Sequence, residues 1–409
     1  MSETFVSFVN FVVNEIKVIV QGCPHGNLKN LNNYQSSTAT MATNFSAIQA
    51  CLSNGLDPTK VGTRRIAGVV GDSPSRYSKS PALWNAVFER FGIHAVYLPF
   101  DVAASRLKDL TSALRDSADV LGCNVTVPHK QKIIDCLDEL DPQAARIQAA
   151  NTIVRTADGR LVGYNTDGGG FIESLRSTQP GQERSFVESF EGLRVIILGA
   201  GGSARAVAFA LAEVAAIGEI VLCNRTMEAG AALAREIGAI TPHARAVGEN
   251  DIAAQASKMN LIVNCTVKGQ GGLREDSAGN VTLLEPYSAL AAAQPKSFPA
   301  ARGRQADFIP LFEAACREDI DANNDASMAI AISIPKEGRF YDLIYHPEET
   351  VFLRQGKLTG HRTMNGKAMI VWQAALAFCN HICKQELEAR KLNGPRIVNR
   401  VAEIMAGAW

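Results

Sequence analysis

The chain has no surplus of either charge: 41 Lys and Arg stand against 41 Asp and Glu in 409 residues. Nothing global therefore draws it to a nucleic acid or an anionic membrane, and any anion site has to be built locally. Paired cysteines are also missing. The nine cysteines are scattered without a C-x-x-C, and no histidines cluster at zinc spacing, which argues against a metal and for reduced thiols in a cytoplasmic protein. A membrane span is absent too. The apolar stretch "FVSFVNFVVNEIKVIV" is interrupted by Glu15 and Lys17, and a helical span takes about 20 residues. The start Met-Ser-Glu is unlike a secretory signal. Residues 1–60 are expected to form a disordered N-terminal extension.

What remains is ordinary globular material, 46% hydrophobic and 20% charged, long enough for two or three domains. From Arg65 a regular alternation begins. "RIAGVVGD" reads as a strand ending in a glycine turn. Ser80 and Pro81 then read as N-cap and first position of a helix carrying Leu83, Trp84, Val87, Phe88 and Phe91 at helical spacing. "AVYLPFDV" is the next strand, "ASRLKDLTSALRDS" the next helix and "GCNVTVP" the strand after it. Such alternation predicts an α/β fold with a parallel or mixed sheet, in which ligands collect outside the carboxyl ends of the strands. Ser78, Ser80 and Lys130 all fall at such ends. A lysine just past a strand is by itself more often a solvated loop residue, so Lys130 needs partners to mean more.

A second unit starts near residue 193 with "LRVIILGAGGSARAVAFALAEV": an apolar strand, a glycine turn, an Ala-rich helix. In the turn Gly199, Ala200, Gly201, Gly202 and Ser203, the glycines let the backbone approach a pyrophosphate, which then meets the free N–H groups of the helix. The next strand, "EIVLCNRT", ends at Asn224, Arg225 and Thr226, where NAD-binding chains commonly place an acid on the ribose. A guanidinium there favours a 2′-phosphate: a charge-assisted hydrogen bond of about 1.5–3 kcal/mol gives one or two orders of magnitude. NADP is the expected cofactor. Glu228 works against it and leaves NAD open.

In order along the chain stand "SKSP", "NVTVPHK", "AANTI", "GYNTDGGGF", "GAGGSAR", "NRT", "NCTVKG", "DLIYHP" and "MNGKAMIVWQAALAF". With these the chain resembles the shikimate/quinate dehydrogenase family over about residues 64–270 and 340–382. The resemblance implies reversible NADPH-dependent reduction of 3-dehydroshikimate to shikimate. It leaves open a quinate or quinate/shikimate dehydrogenase using NAD, and a non-catalytic ligand-sensing homologue. It places Lys130 and Asp167 on the catalytic pair. Ser78 and Ser80 fall on the substrate carboxylate, Asn124, Thr126, Asn151 and Gln373 on ring hydroxyls, and Tyr345 on a tyrosine that closes over the substrate. Thr266, Gly366 and Met369 match positions lining the nicotinamide.

Two features depart from the family. Tyr77 stands where many members carry His, and residues 271–338 form a long insertion without sustained periodicity. The insertion is expected to be a surface lid or interaction arm near the nicotinamide, with "DFIPLFEAACRED" as a short helix.

The chemistry has its own demands. Hydride can leave an alcohol carbon only as the hydroxyl proton leaves, so a proton-handling group must touch that oxygen. Lys130 is the candidate, as a proton relay or as a fixed cation beside the developing alkoxide. No arginine stands in the "SKSP" turn except Arg76 before it, so the substrate carboxylate is expected to meet two serine hydroxyls at a helix N-terminus.

The expected architecture is a two-domain α/β fold with a cleft between an N-terminal substrate domain and a Rossmann-type NAD(P)-binding domain. Residues 61–166, completed by 364–395, form the first; 167–363 form the second; 396–409 are a tail. Reactive groups from the two walls are expected to meet only on closure. The expected partner is a small-molecule substrate, with no nucleic acid and no membrane, and the chain is expected to be a monomer or homodimer.

Overall fold

Alternating apolar runs with β-branched residues make strands, and here they form two six-stranded sheets. The computed structural model describes residues 45–179, 181–276, 278–299 and 305–409.

The first sheet contains β1 (Arg65–Gly71), β2 (Ala95–Asp101), β3 (Val120–Val125), β4 (Glu139–Leu140), β5 (Thr152–Arg155) and β6 (Leu161–Tyr164). Its order is β2-β1-β3-β5-β6-β4. β1 lies parallel to β2 and β3, while β5 is antiparallel to β3 and β6, so the sheet is mixed. Successive β1 residues feed opposite faces. Ala67 and Val69 join the core beneath the helix Ser80–Phe91, and Ile66 and Val70 join the core on the other side with Leu110 and Leu114.

The second sheet is built from β7 (Arg194–Leu198), β8 (Glu219–Asn224), β9 (Ala244–Gly248) and β10 (Leu261–Asn264). The chain then makes an excursion through β11 (Leu273–Glu275), β12 (Asn280–Leu283) and β13 (Phe298–Pro299) before adding β14 (Arg339–Asp342) and β15 (Arg362–Met364). The order β15-β14-β10-β7-β8-β9, with every pair parallel, is the doubly wound Rossmann arrangement. Val195 and Ile197 enter one core, Ile196 and Leu198 the other, which is why this strand reads as a continuous apolar run.

Two helices join the sheets. Asp167–Arg176 lies between Gly202–Ala212 and Lys367–Ala377, and its glycines set the approach. A Cβ on Gly168 would lie 2.7 Å from the Ala206 carbonyl, and one on Gly170 would lie 2.6 Å from the Gln373 backbone nitrogen. Helix Lys367–Ala377 serves both cores, Ala368 and Met369 with the second sheet and Val371 onward with the first.

Two expectations are corrected. Of the N-terminal extension, residues 45–49 are helical, and Phe45, Ile48 and Cys51 are buried in the first sheet's core; the rest of that reading, residues 1–44, lies outside the described residues. The tail from 396 is the helix Ile397–Gly407, which buries Val401, Ala402 and Met405 against the first sheet's core. In the 271–338 insertion the short helix expected at "DFIPLFEAACRED" is present as Gln305–Ala315. β11–β13 form an antiparallel sheet, followed by Gln305–Ala315 and Arg317–Ser333, with Phe312, Cys316 and Ile320 in a core of their own. Helix Arg317–Ser333 escaped the apolar pattern because its buried stripe is Ile320, Asn323, Ser327 and Ala331. Polar residues fill it: Asn323 Nδ2 donates to the carbonyls of Ser288 and Ala291. Among the described residues no helix is long and apolar enough to cross a membrane.

Candidate active site

β3 is buried throughout and stops at Val125. Past it the chain turns through a cis Val127–Pro128 bond, and buried His129 ties the turn down with Nε2 at 2.7 Å from the Val102 carbonyl. The Lys130 carbonyl accepts from Ala150 N–H at 2.9 Å. So fixed, the Lys130 side chain is only 18% exposed, and its Nζ donates to Asp167 Oδ2 at 2.6 Å. It is not a solvated loop lysine.

Asp167 opens its helix, with Thr166 as N-cap, and is 3% exposed. A carboxylate at that end is favoured by the helix dipole. Its backbone N–H donates to Asn165 Oδ1 at 3.1 Å, and its Oδ1 accepts from Asn151 Nδ2 at 2.8 Å. A buried ion pair is tolerated only where such extra hydrogen bonds serve the remaining lone pairs. Asn151 Nδ2 also lies 3.0 Å from Thr166 Oγ1 and 3.1 Å from Gln373 Oε1. Asn124 extends the network: its Nδ2 donates to Thr152 Oγ1 at 3.1 Å, and its Oδ1 accepts from Tyr97 Oη at 2.7 Å. Burial pushes the Tyr97 phenol well above its ordinary range, although the Ser80 side chain hydrogen-bonds to it. Ser78 Oγ accepts from Ser80 N–H at 3.2 Å. Ser78, Ser80, Asn124, Asn151, Gln373, Asp167 and Lys130 are thus joined through one chain of contacts.

Ser80 is not the N-cap expected from the sequence. Lys79 is, and Ser80 is the first helical residue, with no side-chain cap. Its hydroxyl faces Tyr97 instead of its own helix. Thr126 lies apart from the Lys130 network, beside the Tyr77 phenol. Burial raises that phenol to about 12, nearby Tyr345 adds to the shift, and Thr126 opposes it. Burial also raises Tyr345.

The cofactor positions gather at the carboxyl edge of the second sheet. Gly199 follows β7 with φ +111°, where a side chain is strained, and its N–H donates to the Cys223 carbonyl at 2.7 Å. Ala200 links it to Gly201, the N-cap of Gly202–Ala212; a Cβ on Gly201 would meet nothing within 4 Å. The first turn of that helix, with Gly202 and Ser203, leaves backbone N–H groups without intrahelical acceptors. Arg205 is committed elsewhere, its Nη1 and Nη2 donating to Glu236 at 3.0 and 2.6 Å. Arg225 is exposed and has no partner among the described residues, beside a turn held by Asn224 Nδ2 donating to the Thr226 carbonyl at 2.8 Å. A phosphate-bearing dinucleotide fits this open turn and uncommitted guanidinium.

Thr266 donates through N–H and Oγ1 to Asn264 Oδ1, at 2.9 and 2.7 Å, and Asn264 Nδ2 donates to Asp342 Oδ1 at 3.0 Å. Burial pushes the Asp342 carboxyl up to about 7, against hydrogen bonds from Thr350, Ile344 N–H and Asn264. A Cβ on Gly366 would lie 2.0 Å from the Leu343 carbonyl, so only glycine fits, and Met369 follows at 5% exposure. A cavity of about 640 Å³ lined by Lys367, Ala368 and Val371 lies on the opposite helix face from Met369 and Gln373, and none of the residues assigned to substrate or cofactor lines it.

Sequence reasoning missed Tyr97, Thr152, Asp342 and Trp409. Tyr97 and Thr152 occupy inward strand positions that read as core, and the partners of Trp409, Tyr345 and Lys367, lie more than forty residues away along the chain.

Family models for the shikimate dehydrogenase substrate binding domain and for shikimate / quinate 5-dehydrogenase match residues 69–153 and 182–281. The shikimate dehydrogenase (NADP(+)) of Desulforamulus reducens is 33% identical over 78% of this chain and 89% of its own length. That of Moorella thermoacetica is 36% identical over 75% and 84%. Among solved structures, a Thermus thermophilus shikimate 5-dehydrogenase in complex with NADP(H) and shikimate is 28% identical with TM-score 0.55, covering 83% of this chain and 99% of that one. A shikimate dehydrogenase in complex with NADP+ is 27% identical with TM-score 0.58, covering 87% and 96%. With these sequence relationships over more than two thirds of both chains, the chain belongs to the shikimate/quinate dehydrogenase family.

Proposed function

We propose that the chain is an oxidoreductase that interconverts 3-dehydroshikimate and shikimate with NADP. The observation that carries this reading is the 2.6 Å contact of Lys130 Nζ with Asp167, buried beside the carboxyl end of β3. Lys130 holds or passes the proton of the ring alcohol as that oxygen gains or loses charge. Asp167 fixes the ammonium. Asn151 acts chiefly on Asp167, because its amide hydrogens already face Asp167, Thr166 and Gln373.

Ser78 and Ser80 receive the substrate carboxylate at the N-terminus of Ser80–Phe91, where the helix dipole favours an anion without a formal positive charge. Asn124, Thr126 and Gln373 take ring hydroxyls. Such a site rejects an analogue by leaving buried polar groups unpaired. Tyr345 closes over the ring. When bound, NADP supplies the hydride acceptor at its nicotinamide. The turn Gly199–Ser203 would hold its pyrophosphate, Asn224, Arg225 and Thr226 its adenosine 2′-phosphate, and Thr266, Gly366 and Met369 its nicotinamide.

Purified protein assayed with shikimate or quinate, each with NADP+ or NAD+, tests the reading through nicotinamide absorbance. Shikimate with NADP+ should give the highest kcat/KM. A lead for quinate with NAD+, or no turnover with any pair, would overturn it.

A further inference from the structure

The helix Ile397–Gly407 packs on the first sheet's core and brings Trp409 against Tyr345 and Lys367. The Trp409 ring meets Tyr345 edge-to-face, centroids 5.4 Å apart at 80°. The Lys367 ammonium lies over the same ring at 5.1 Å and has no carboxylate partner among the described residues. Both contacts are of favourable kinds, since aromatic rings favour a perpendicular neighbour and attract a cation to the face. Lys367 opens the helix that carries Met369 and Gln373, and Tyr345 lies beside Tyr77, which in turn lies beside Thr126. One ring therefore braces a phenol on the substrate side and the start of a helix shared by both sides.

We infer that Trp409 is a positioning residue for substrate: through its contacts with Tyr345 and Lys367 it holds Tyr345 where the tyrosine covers the bound ring. The inference rests on the proposed role of Tyr345. Without the indole, Tyr345 loses its edge-to-face neighbour and gains rotamer freedom, so substrate binding has to order it. The effect should fall on shikimate more than on the dinucleotide, because Tyr345 is assigned to the substrate.

The test uses the full chain with Trp409→Ala and Trp409→Phe. Trp409→Ala should raise KM for shikimate about five- to tenfold, leaving KM for NADP+ within about twofold and kcat within about threefold. Trp409→Phe, which retains an aromatic ring, should recover most of the loss. Shikimate should also change indole emission more in the parent than in Trp409→Phe, whose remaining Trp84 and Trp372 are buried in the core. A shikimate KM within twofold of the parent in folded Trp409→Ala overturns the inference, as does a loss shared equally by both substrates. Should Trp409→Ala not fold, equal emission changes in parent and Trp409→Phe overturn it. A parent that turns over no shikimate would sink the function proposed above instead.

Discussion

At the scale of single residues, side chains here differ most in whether they are already engaged. Arg205 and Arg225 flank the same cofactor turn, yet Arg205 is bound to Glu236 while Arg225 has no partner among the described residues. Arg225→Ala should therefore raise KM for NADP+ about 10- to 100-fold and change that for NAD+ much less; steady-state kinetics with both cofactors checks this, and equal changes would remove the phosphate assignment. Asp342 is the opposite case, buried with three donors and no cation. Its folded pKa, about 7, exceeds its ordinary value of 3.8, so between these pH values the folded state holds the proton that the unfolded state has released. Stability from this group is thus full below about pH 4 and lost as pH rises towards 7. Relative to Asp342→Asn, the parent should lose about 2–3 kcal/mol of unfolding free energy from pH 5 to pH 8. Denaturant melts at both values would show it; parallel behaviour of the two proteins would contradict it.

At the scale of elements, the sequence "DGGGFIESL" is a poor helix by propensity, since each glycine costs about 1 kcal/mol against alanine. It is a helix because the glycines admit its neighbours. Gly170→Ala would put Cβ 2.6 Å from the backbone nitrogen of Gln373, whereas at Gly169 the nearest atom is the end of the Leu376 side chain at 3.0 Å. Gly170→Ala should lose about 1–3 kcal/mol of stability and lower turnover by displacing Gln373 from Asn151, with Gly169→Ala clearly milder; thermal melts of the pair test this. The same elements show what the sequence could convey. β1, β3, β7 and the glycine turn were legible because apolar runs, turn glycines and the helix that follows are local signals. The helix Arg317–Ser333 was not, because Asn323 and Ser327 stand on its buried face and find their partners in remote segments. The helix Ile397–Gly407 resembles a tail in the sequence because the surface that covers it comes from Ser80–Phe91 and Lys367–Ala377.

At the scale of the whole molecule, the site exists because the chain leaves the first sheet at Asp167, builds the second, and returns at Lys367–Ala377. Asn151 and Gln373, 222 positions apart, share a hydrogen bond on account of that route. From the sequence, reactive groups are expected to meet only when a cleft closes. Lys130 and Asp167 are already in contact, one from the turn after β3 and the other from the helix that leaves the sheet, so domain movement is not needed to assemble the pair. The pair's role in proton handling is the central claim. The most direct measurement is the kcat of Lys130→Ala for shikimate oxidation with saturating NADP+, on protein whose melting shows that it is folded. A fall of at least about 100-fold is predicted; turnover within tenfold of the parent would contradict the account.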